Sequence, residues 1–545
     1  MTEFGQLNWA IVAAYLLLNM LLGYVFSRRI KTASDYYLGS HTAPWWAIGI
    51  SVVATYVSAL SFLGGPAWSY GDGMAVLAFH LNYPIVIFIV VVVFMPFFYN
   101  SGVASIYEYL ERRFGGTSRS FMSLLFLIVQ AITSASIITA TAVVVNFATG
   151  LDIQTSIVLM TLFILAYTLL GGMNAVIWTD VMQAFILYAG AGVMLWCLLR
   201  SESPLSGALQ TLAHAGKLNA IRTELDFSIA PTIWSGLIAM TMLHVTVYGA
   251  NQTMVQRALA ARNIGDAKKA YLTMGFAGFF IYFLFFFIGA LLFVHFKGQP
   301  FAVPNAIMLV YAKSLAIPGL LGILAAAVLS SAMSALSGAL NSQATISLTD
   351  FYQRFFHKNA SDKHYLTASR LFTVFWALAG IPIAIAFASS GGSILQRLTE
   401  VSAYLVSARF AMYGMGFFSK HTTERGLLVG VVAGFISLFV ITANVPQLGL
   451  HPLPIAWPWL VVISSVVNIV VAWLASILLD GFQKEWHEQS VPGQIRRFRE
   501  KGLPEKEHGW YLVPGKIDRV CWLLLVFFVL TIVFLVVFAR IGGAL

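Results

Sequence analysis

The chain has 545 residues with a formal net charge of +10, and 59 % of the residues are hydrophobic while only 10 % are charged. A soluble domain carries about 25 % charged residues, so this composition excludes a water-soluble fold, and the basic residues lie in the loops rather than in a nucleic-acid-binding face. The apolar stretches are about 20 residues long, as membrane helices require, rather than the ~10 residues of barrel strands, which predicts an all-α membrane protein.

Fourteen apolar stretches are long enough to be read as membrane spans. We place them, in chain order, at 8–26, 46–70, 75–99, 118–148, 153–171, 178–200, 230–255, 270–296, 315–350, 366–389, 394–418, 425–443, 456–479 and 518–540. With the N-terminus outside, the inside loops and their margins hold 24 of the 32 Lys and Arg residues. The positive-inside rule therefore predicts a multi-pass protein of the cell membrane with both termini outside and the largest loop, 481–517, in the cytoplasm.

The second span contains a cluster of helix-weakening residues after two serines. Ser58 and Ser61 precede Gly64, Gly65 and Pro66. Proline removes a backbone donor and glycine lowers helix propensity, so we predict a break here. Broken helices expose carbonyls that transporters use for ions and substrates, and a simple proline kink is the alternative reading.

The ninth span carries a stripe of small polar residues. Ser330, Ser334, Ser337 and Asn341 follow one another at spacings of 4, 3 and 4, which places them on one helix face. This face is either part of a polar path or a small-residue contact between helices.

Among the ionisable residues inside predicted spans, four are candidates for a functional role. They are His80, Asp180, His244 and Arg409. Such groups are costly in lipid and face a cavity or a partner. The alternatives are a packed, hydrogen-bonded histidine and, for Arg409, a side chain that extends to the membrane surface.

Motifs of soluble enzymes are missing from the sequence. There is no nucleotide-binding loop, no GxSxG or HExxH motif, and the two cysteines, Cys197 and Cys521, form no metal-binding pair. The loop 481–517 is too short for a catalytic domain. We therefore predict that the chain is not an enzyme.

Five segments, spread in order over most of the chain, together resemble the sodium/solute symporter family. They are ATYVSALSFLGGP (54–66), SIYEYLERRF (105–114), GGMNAVIWTDVMQ (171–183), NQTMVQRALAA (251–261) and AMSALSGALNSQATISLTDFY (332–352). The chain is similar in these segments to the bacterial sialic acid, galactose and pantothenate symporters of that family.

The resemblance implies a LeuT-type fold in a single transporter domain over residues 1–545. Residues 46–200 would form the first inverted five-helix repeat and residues 230–418 the second. One helix precedes the repeats, and three follow in the peripheral segment 425–540. Alternating access around a site at the membrane midplane would be the mechanism.

The resemblance also implies a sodium ion between the second and ninth spans. Its ligands would be the carbonyl oxygens of Ala54, Val57 and Ser331 and hydroxyls at positions 334 and 335. Ser334 has that hydroxyl, whereas Ala335 replaces the Ser or Thr of relatives. Oxygen ligands suit this hard cation.

Some relatives hold a second sodium ion near the cytoplasmic side. Asp180 and Ser337 match its ligands, and Gly338 stands where a further serine would be expected. Because both ion sites lack a hydroxyl, proton coupling through Asp180, His80 or His244 is the alternative to sodium.

The substrate positions implied by the family lie on several helices. They are Ser58, Ser61, His80, Ser134, His244 and Thr399. Ser134 stands where the sialic acid transporters have a carboxylate-binding arginine, and we hypothesise that Arg409 takes over that role. A small organic anion is the predicted substrate, with a sugar or amino acid as the alternative.

The predicted partners are the small-molecule substrate and membrane lipid, and the sequence indicates no nucleic acid and no obligatory protein partner. A sensor or channel built on the same scaffold is the alternative to transport, because a shared fold does not fix function.

Overall fold

The computed structural model describes residues 4–27, 42–103, 105–301, 303–389, 394–444 and 451–544, and helices dominate this part of the chain. The helices are α1 (Gln6–Ser27), α2 (Trp45–Tyr56), α3 (Ala59–Asp72), α4 (Tyr83–Ile89), α5 (Met95–Ser101), α6 (Ile106–Arg113), α7 (Gly116–Thr149), α8 (Ile153–Ser201), α9 (Leu205–His214), α10 (Met240–Gly249), α11 (Gln252–Leu259), α12 (Ile264–His295), α13 (Ile307–Ser314), α14 (Leu320–Ile346), α15 (Asp362–Ser389), α16 (Ile394–Phe418), α17 (Glu424–Thr442), α18 (Trp457–Asp480), α19 (Val491–Glu500) and α20 (Arg519–Ala544). Turns of 3₁₀- or π-helix lie at Gly73–His80, Val90–Phe94, Ser235–Ala239, Pro304–Ala306 and Ser347–Phe356. The two-residue strands β1 (Lys506–Glu507) and β2 (Trp510–Tyr511) pair antiparallel.

Within these described ranges, ten helices are long and apolar enough to cross a membrane. The helical membrane fold predicted from composition is therefore confirmed. The count of fourteen crossings stays a prediction, because several predicted spans correspond to shorter apolar helices, among them Trp45–Tyr56 and Ser235–Gly249.

The second predicted span is broken, but not where its glycines and proline lie. α2 ends at Tyr56, Val57 has a ψ of 81°, and Ser58 is extended before α3 begins. Pro66 lies inside the continuous helix α3, so the prediction of a break at Gly64–Pro66 is wrong. Membrane helices tolerate proline where neighbouring groups satisfy the freed backbone.

Two further bounds complete the comparison with the predicted spans. α8 consists of two helices that meet at a kink at Gly172, whose backbone conformation (φ 51°, ψ −160°) favours glycine, so the chain changes direction between the predicted spans 153–171 and 178–200. The ninth span, predicted at 315–350, continues beyond α14 as a π-helical segment to Phe356.

The long helices pack so that two helix groups meet around the broken segment. α8 packs on α1, α2 and α14, while α12 packs on α2 and α3. α14 is the most deeply buried of the long helices, and its residues from Leu324 to Ile346 are all buried. The polar face of α14 therefore faces neighbouring helices rather than lipid.

One glycine permits the close contact between α3 and α12. A Cβ atom at Gly289 would clash with the carbonyl oxygen of Pro66 and the hydroxyl of Ser69. We expect Gly289→Ala to lower the free energy of unfolding by about 1–3 kcal/mol, because overpacking forces the two backbones apart. Thermal unfolding of the purified protein measures this. Gly192→Ala is the control, since no atom lies within 4 Å of a Cβ there, and an equal loss in both variants would contradict the explanation.

The loop 481–517 is folded against the membrane helices. It contains α19 and the β1–β2 hairpin. Lys268 of α12 donates to the Tyr511 carbonyl (2.7 Å) and to Asp518 (2.6 Å). The Gly515 amide donates to the Val92 carbonyl (2.9 Å). These contacts tie the loop to the end of the third span and to the start of α12.

Candidate functional site

The break between α2 and α3 leaves a backbone carbonyl that α14 engages. Ser331 of α14 donates its hydroxyl to the Val57 carbonyl oxygen at 2.7 Å. Ala54 lies on α2, three residues before Val57, and is also buried. The structure therefore brings together the helix segments that carry Ala54, Val57 and Ser331, three of the predicted ion ligands.

Asp180 of α8 lies at the centre of the adjoining hydrogen-bond network. Its Oδ1 accepts from the Ser334 hydroxyl (2.6 Å), and its Oδ2 accepts from Ser51 (2.5 Å) and Thr55 (3.3 Å). Arg257 of α11 completes the set, with Nη2 at 3.1 Å from Oδ2, and both side chains of this ion pair are fully buried. Desolvated charges of this kind are stable only when paired and hydrogen-bonded.

Ser337, the remaining predicted ion ligand, contacts the backbone of Ser334. Ser337 donates to the Ser334 carbonyl oxygen at 3.2 Å. A Cβ atom on the neighbouring Gly338 would clash with Arg257, at 2.6 Å from Nη2. The guanidinium thus occupies the space that a larger residue at 338 would need.

Sequence reasoning missed Arg257, Ser51 and Thr55. The two hydroxyl residues lie four apart on one face of α2, which was an available signal for a polar contact. Arg257 gave no such signal, because a basic residue at the end of a span also fits a cytoplasmic margin.

A second group of residues surrounds two stacked histidines. The His80 ring lies 3.5 Å from the Tyr282 ring, centroid to centroid, with an interplanar angle of 6°, and 5.9 Å from the His244 ring. His80 Nδ1 lies 2.9 Å from the Tyr83 hydroxyl. The Ser61 hydroxyl lies 3.3 Å from that of Tyr282. The structure therefore unites the predicted residues Ser61, His80 and His244, and we name the set Ser61, His80, Asn82, Tyr83, His244, Tyr248 and Tyr282 the ring group.

Polar atoms without partners point to a ligand in the ring group. His244 Nδ1 lies 3.0 Å from Asn82 Oδ1. Among the described residues, Asn82 Nδ2, Tyr248 Oη and His244 Nε2 are buried and have no hydrogen-bond partner. Buried polar groups are normally satisfied, so these atoms are free to bind a substrate.

In the described part of the chain, the side chains of Ser58, Ser134 and Arg409 make no hydrogen bond with the ring group. Ser58 is half-buried at the start of α3, three residues before Ser61. The Ser134 hydroxyl on α7 is buried, with no partner in the described part of the chain. Thr399 belongs to a stretch of α16 whose side chains lie outside the described residues. Arg409, also on α16, is buried close to Tyr107.

The tyrosines of the ring group and Asn82 were not predicted as site residues. Aromatic residues inside spans are common packing residues, and only the fold brings Tyr83 and Tyr282 to the two histidines. Asn82 and Tyr83 follow His80 closely in the chain, and this polar run within a span was the available signal.

Comparison with known proteins identifies relatives over most of the chain. The model of the sodium:solute symporter family matches residues 36–434. The sodium/sialic acid symporter SiaT of Proteus mirabilis is 29 % identical over 451 residues, covering 80 % of this chain and 89 % of the relative. The sodium-coupled monocarboxylate transporter 2 of Bos taurus is 25 % identical over 475 residues, covering 85 % and 76 %.

A solved structure agrees with these relatives. A Na⁺-coupled sialic acid symporter, described in a substrate-bound outward-open state with a novel Na⁺ site, superimposes with a TM-score of 0.80 at 26 % identity, covering 89 % of this chain and all of the other. These relatives are transporters rather than enzymes, as predicted for this chain. The chain is a multi-pass membrane protein that belongs to the sodium:solute symporter family.

Proposed function

We propose that the chain is a sodium-driven symporter that imports a small organic anion across the cell membrane by alternating access. The observation that carries the substrate class is the set of unpartnered polar atoms in the ring group. Asn82 Nδ2 and Tyr248 Oη are buried donors without acceptors in the described part of the chain. A carboxylate consists of acceptors only when ionised, so it matches these donors better than a ligand that needs acceptors in return.

The names of the relatives support this substrate class. Two of them are named for anions, a monocarboxylate and iodide, and another is named for glucose, a neutral sugar. Sialic acid gives its name to the bacterial relatives. An organic anion and a sugar thus both have precedents in the family, and the donors of the ring group favour the anion.

The proposed sodium site uses the carbonyl oxygens of Ala54, Val57 and Ser331 with the hydroxyl of Ser334. A hydroxyl has one donor and two acceptor lone pairs, so Ser334 can donate to Asp180 and still bind an ion. The Asp180 carboxylate would then add negative charge to the site through Ser334, which compensates in part for the missing hydroxyl at Ala335. We propose that Ser337 supports this position through the Ser334 carbonyl rather than by forming a separate second site.

Proton coupling is the second candidate, and it rests on the contact between His244 and Asn82. If His244 Nδ1–H donates to Asn82 Oδ1, then Nε2 carries a proton only when the ring is charged. A carboxylate and a proton could then bind the ring group together.

We propose the LeuT-type arrangement for the fourteen spans, with repeats at 46–200 and 230–418 and both termini outside. Tyr248 belongs to the ring group and also lines a small pocket with Gly249, Tyr271 and Phe94. In the proposed orientation this pocket lies on the cytoplasmic side of the rings. Separation of the rings at Tyr248 would then open the path inward.

Uptake into proteoliposomes tests the proposed function. Radiolabelled lactate, acetate, glucose and alanine are offered under an inward sodium gradient, an inward proton gradient or neither. We expect accumulation of a carboxylate driven by sodium. Proton-driven accumulation would select the second candidate, and the absence of gradient-driven uptake by folded protein would contradict symport.

A further inference from the structure

Arg409 is a buried arginine that forms no ion pair among the described residues. It lies on α16 and its side chain is only 1 % exposed. Nε and Nη2 have no hydrogen-bond partner among the described residues. A buried guanidinium normally has a carboxylate or carbonyl partner, since burying an unpaired charge is costly.

The carboxylates of this region are already paired. Arg119 contacts Asp350 at 2.6 Å and Glu111 at 2.7 Å, and Arg354 contacts Glu111 at 2.8 Å. Two arginines therefore balance two carboxylates. Asp350 also accepts hydrogen bonds from other side chains of the region, including Ser123 at 2.5 Å, so it has little remaining capacity for Arg409.

Tyr107 is the polar neighbour of Arg409. It lies at the start of α6, is fully buried, and its hydroxyl has no hydrogen-bond partner in the described part of the chain. Burial raises the pKa of the Tyr107 phenol, the positive charge of the nearby Arg409 acts in the opposite direction, and the negative charge of Asp350 raises the pKa further. The guanidinium of Arg409 and the phenol hydroxyl of Tyr107 are therefore neighbouring groups that both have unused hydrogen-bond donors.

The position of Tyr107 is fixed by the helix that carries Arg409. Tyr413, one turn after Arg409 on α16, donates its hydroxyl to the Ile106 carbonyl at 2.9 Å. This bond attaches the start of α6 to α16. We call the side of the membrane where α6 lies the inner side, since we predict it to be cytoplasmic.

We propose that Arg409 and Tyr107 form a carboxylate-binding subsite on the inner side, which the transported acid occupies as it leaves the ring group. This inference rests on the proposed transport of an organic anion. A guanidinium binds a carboxylate through two parallel hydrogen bonds, and the Tyr107 hydroxyl supplies a third donor. The subsite is closed in this structure and becomes accessible when the inner side opens.

Such a subsite determines the affinity for substrate on the inner side, whereas the ring group determines the affinity on the outer side. We expect Arg409→Gln to raise by about tenfold the internal lactate concentration that half-maximally stimulates exchange, because a hydrogen bond to a charged group contributes at this level. The external half-saturation concentration stays within about twofold, as uptake begins at the ring group. Tyr107→Phe, which removes only one hydroxyl, shifts the internal value in the same direction by less.

Arg113→Gln is the matched control. Arg113 is also a buried arginine near this end of α16, but it donates to the carbonyls of Gly416 (3.2 Å) and Ser419 (2.9 Å). Its replacement lowers stability without changing the internal half-saturation value. An equal change of internal and external values in Arg409→Gln, or no change in either, would overturn the subsite.

A binding measurement separates failure of the subsite from failure of the proposed function. The thermal unfolding temperature of the purified protein is measured with sodium lactate and with sodium chloride at equal sodium concentration. We expect lactate to stabilise the native protein more than chloride does, and Arg409→Gln to lose part of this difference. If Arg409→Gln keeps the whole difference while His244→Ala loses it, the subsite is wrong and the ring group stands. Equal stabilisation by chloride overturns the carboxylate assignment at Arg409, and no effect of lactate on the native protein counts against both proposals.

Discussion

Replacing Asp180 with asparagine is expected to abolish sodium-driven uptake and to lower the free energy of unfolding by about 3–5 kcal/mol, the cost of leaving one buried charge without its partner. Asp180 and Arg257 are both fully buried, with 3.1 Å between Oδ2 and Nη2. The carboxylate also accepts from Ser51 and Ser334. An asparagine amide keeps the size of the side chain but removes the charge that Arg257 and the proposed ion site both need.

A double variant separates stability from transport. Asp180→Asn together with Arg257→Gln removes both charges, so we expect the thermal unfolding temperature to recover in part, as it does when a buried pair is replaced as a unit. Uptake stays lost, because the charge behind Ser334 is not restored. Full uptake by the single variant, or recovery of uptake in the double variant, would show that Asp180 has only a structural role.

The helical architecture could be predicted from the sequence because a bilayer imposes a strong constraint on composition. A span needs about 20 apolar residues, and the bounds of α7 (Gly116–Thr149) and α18 (Trp457–Asp480) lie within a few residues of the predicted spans. The break in the second span could not be placed. Pro66 and its glycines are the strongest local signal, but the actual break at Val57 is held by a hydroxyl from Ser331, which is 274 positions away in the chain.

In the candidate site, too, single residues could be predicted from the sequence, whereas their partners from distant parts of the chain could not. His80, His244 and Asp180 could be found because ionisable residues are rare in membrane spans. Their partners could not be found: Tyr282 and Arg257 reach them only through the packing of α12 and α11. Arg409 was predicted to bind the substrate carboxylate. Its burial beside Tyr107 depends on the packing of α6 against α16, which the sequence does not show.

The shape of the ring group adds a constraint on the transport cycle. The stacked rings of His80 and Tyr282, with centroids 3.5 Å apart, fill the space between their helices. A substrate bound at the proposed site would have to separate them, which would link its binding to a movement of α12 relative to the segment Gly73–His80. Binding that depends on such a movement provides the differential affinity between conformations that alternating access requires.

The proposed sodium site can be tested by removing one ligand and by adding another, because Ser334 has a hydroxyl and Ala335 lacks one. We expect Ser334→Ala to raise the sodium concentration for half-maximal uptake by about tenfold or more, since a direct ion ligand and a hydrogen bond to a charged group are lost together. Ala335→Ser is expected to lower that concentration, because it adds a hydroxyl at a position where the resemblance to the family implies an ion ligand. Ala335 is buried on α14 directly beside Ser334, so the added oxygen would enter the same region.

Ser330→Ala is the matched control on the same helix. Ser330 is also fully buried, but its hydroxyl donates to the Gln183 carbonyl at 3.1 Å rather than to Asp180. Uptake of labelled substrate at increasing sodium concentration, at constant pH and ionic strength, separates the three variants. If Ser330→Ala and Ser334→Ala change the sodium requirement equally, the effect is one of helix packing and Ser334 is not a ligand. If neither Ser334→Ala nor Ala335→Ser changes it while uptake follows a proton gradient, then the coupling ion is bound elsewhere, and the protonatable Nε2 of His244 becomes the group to replace.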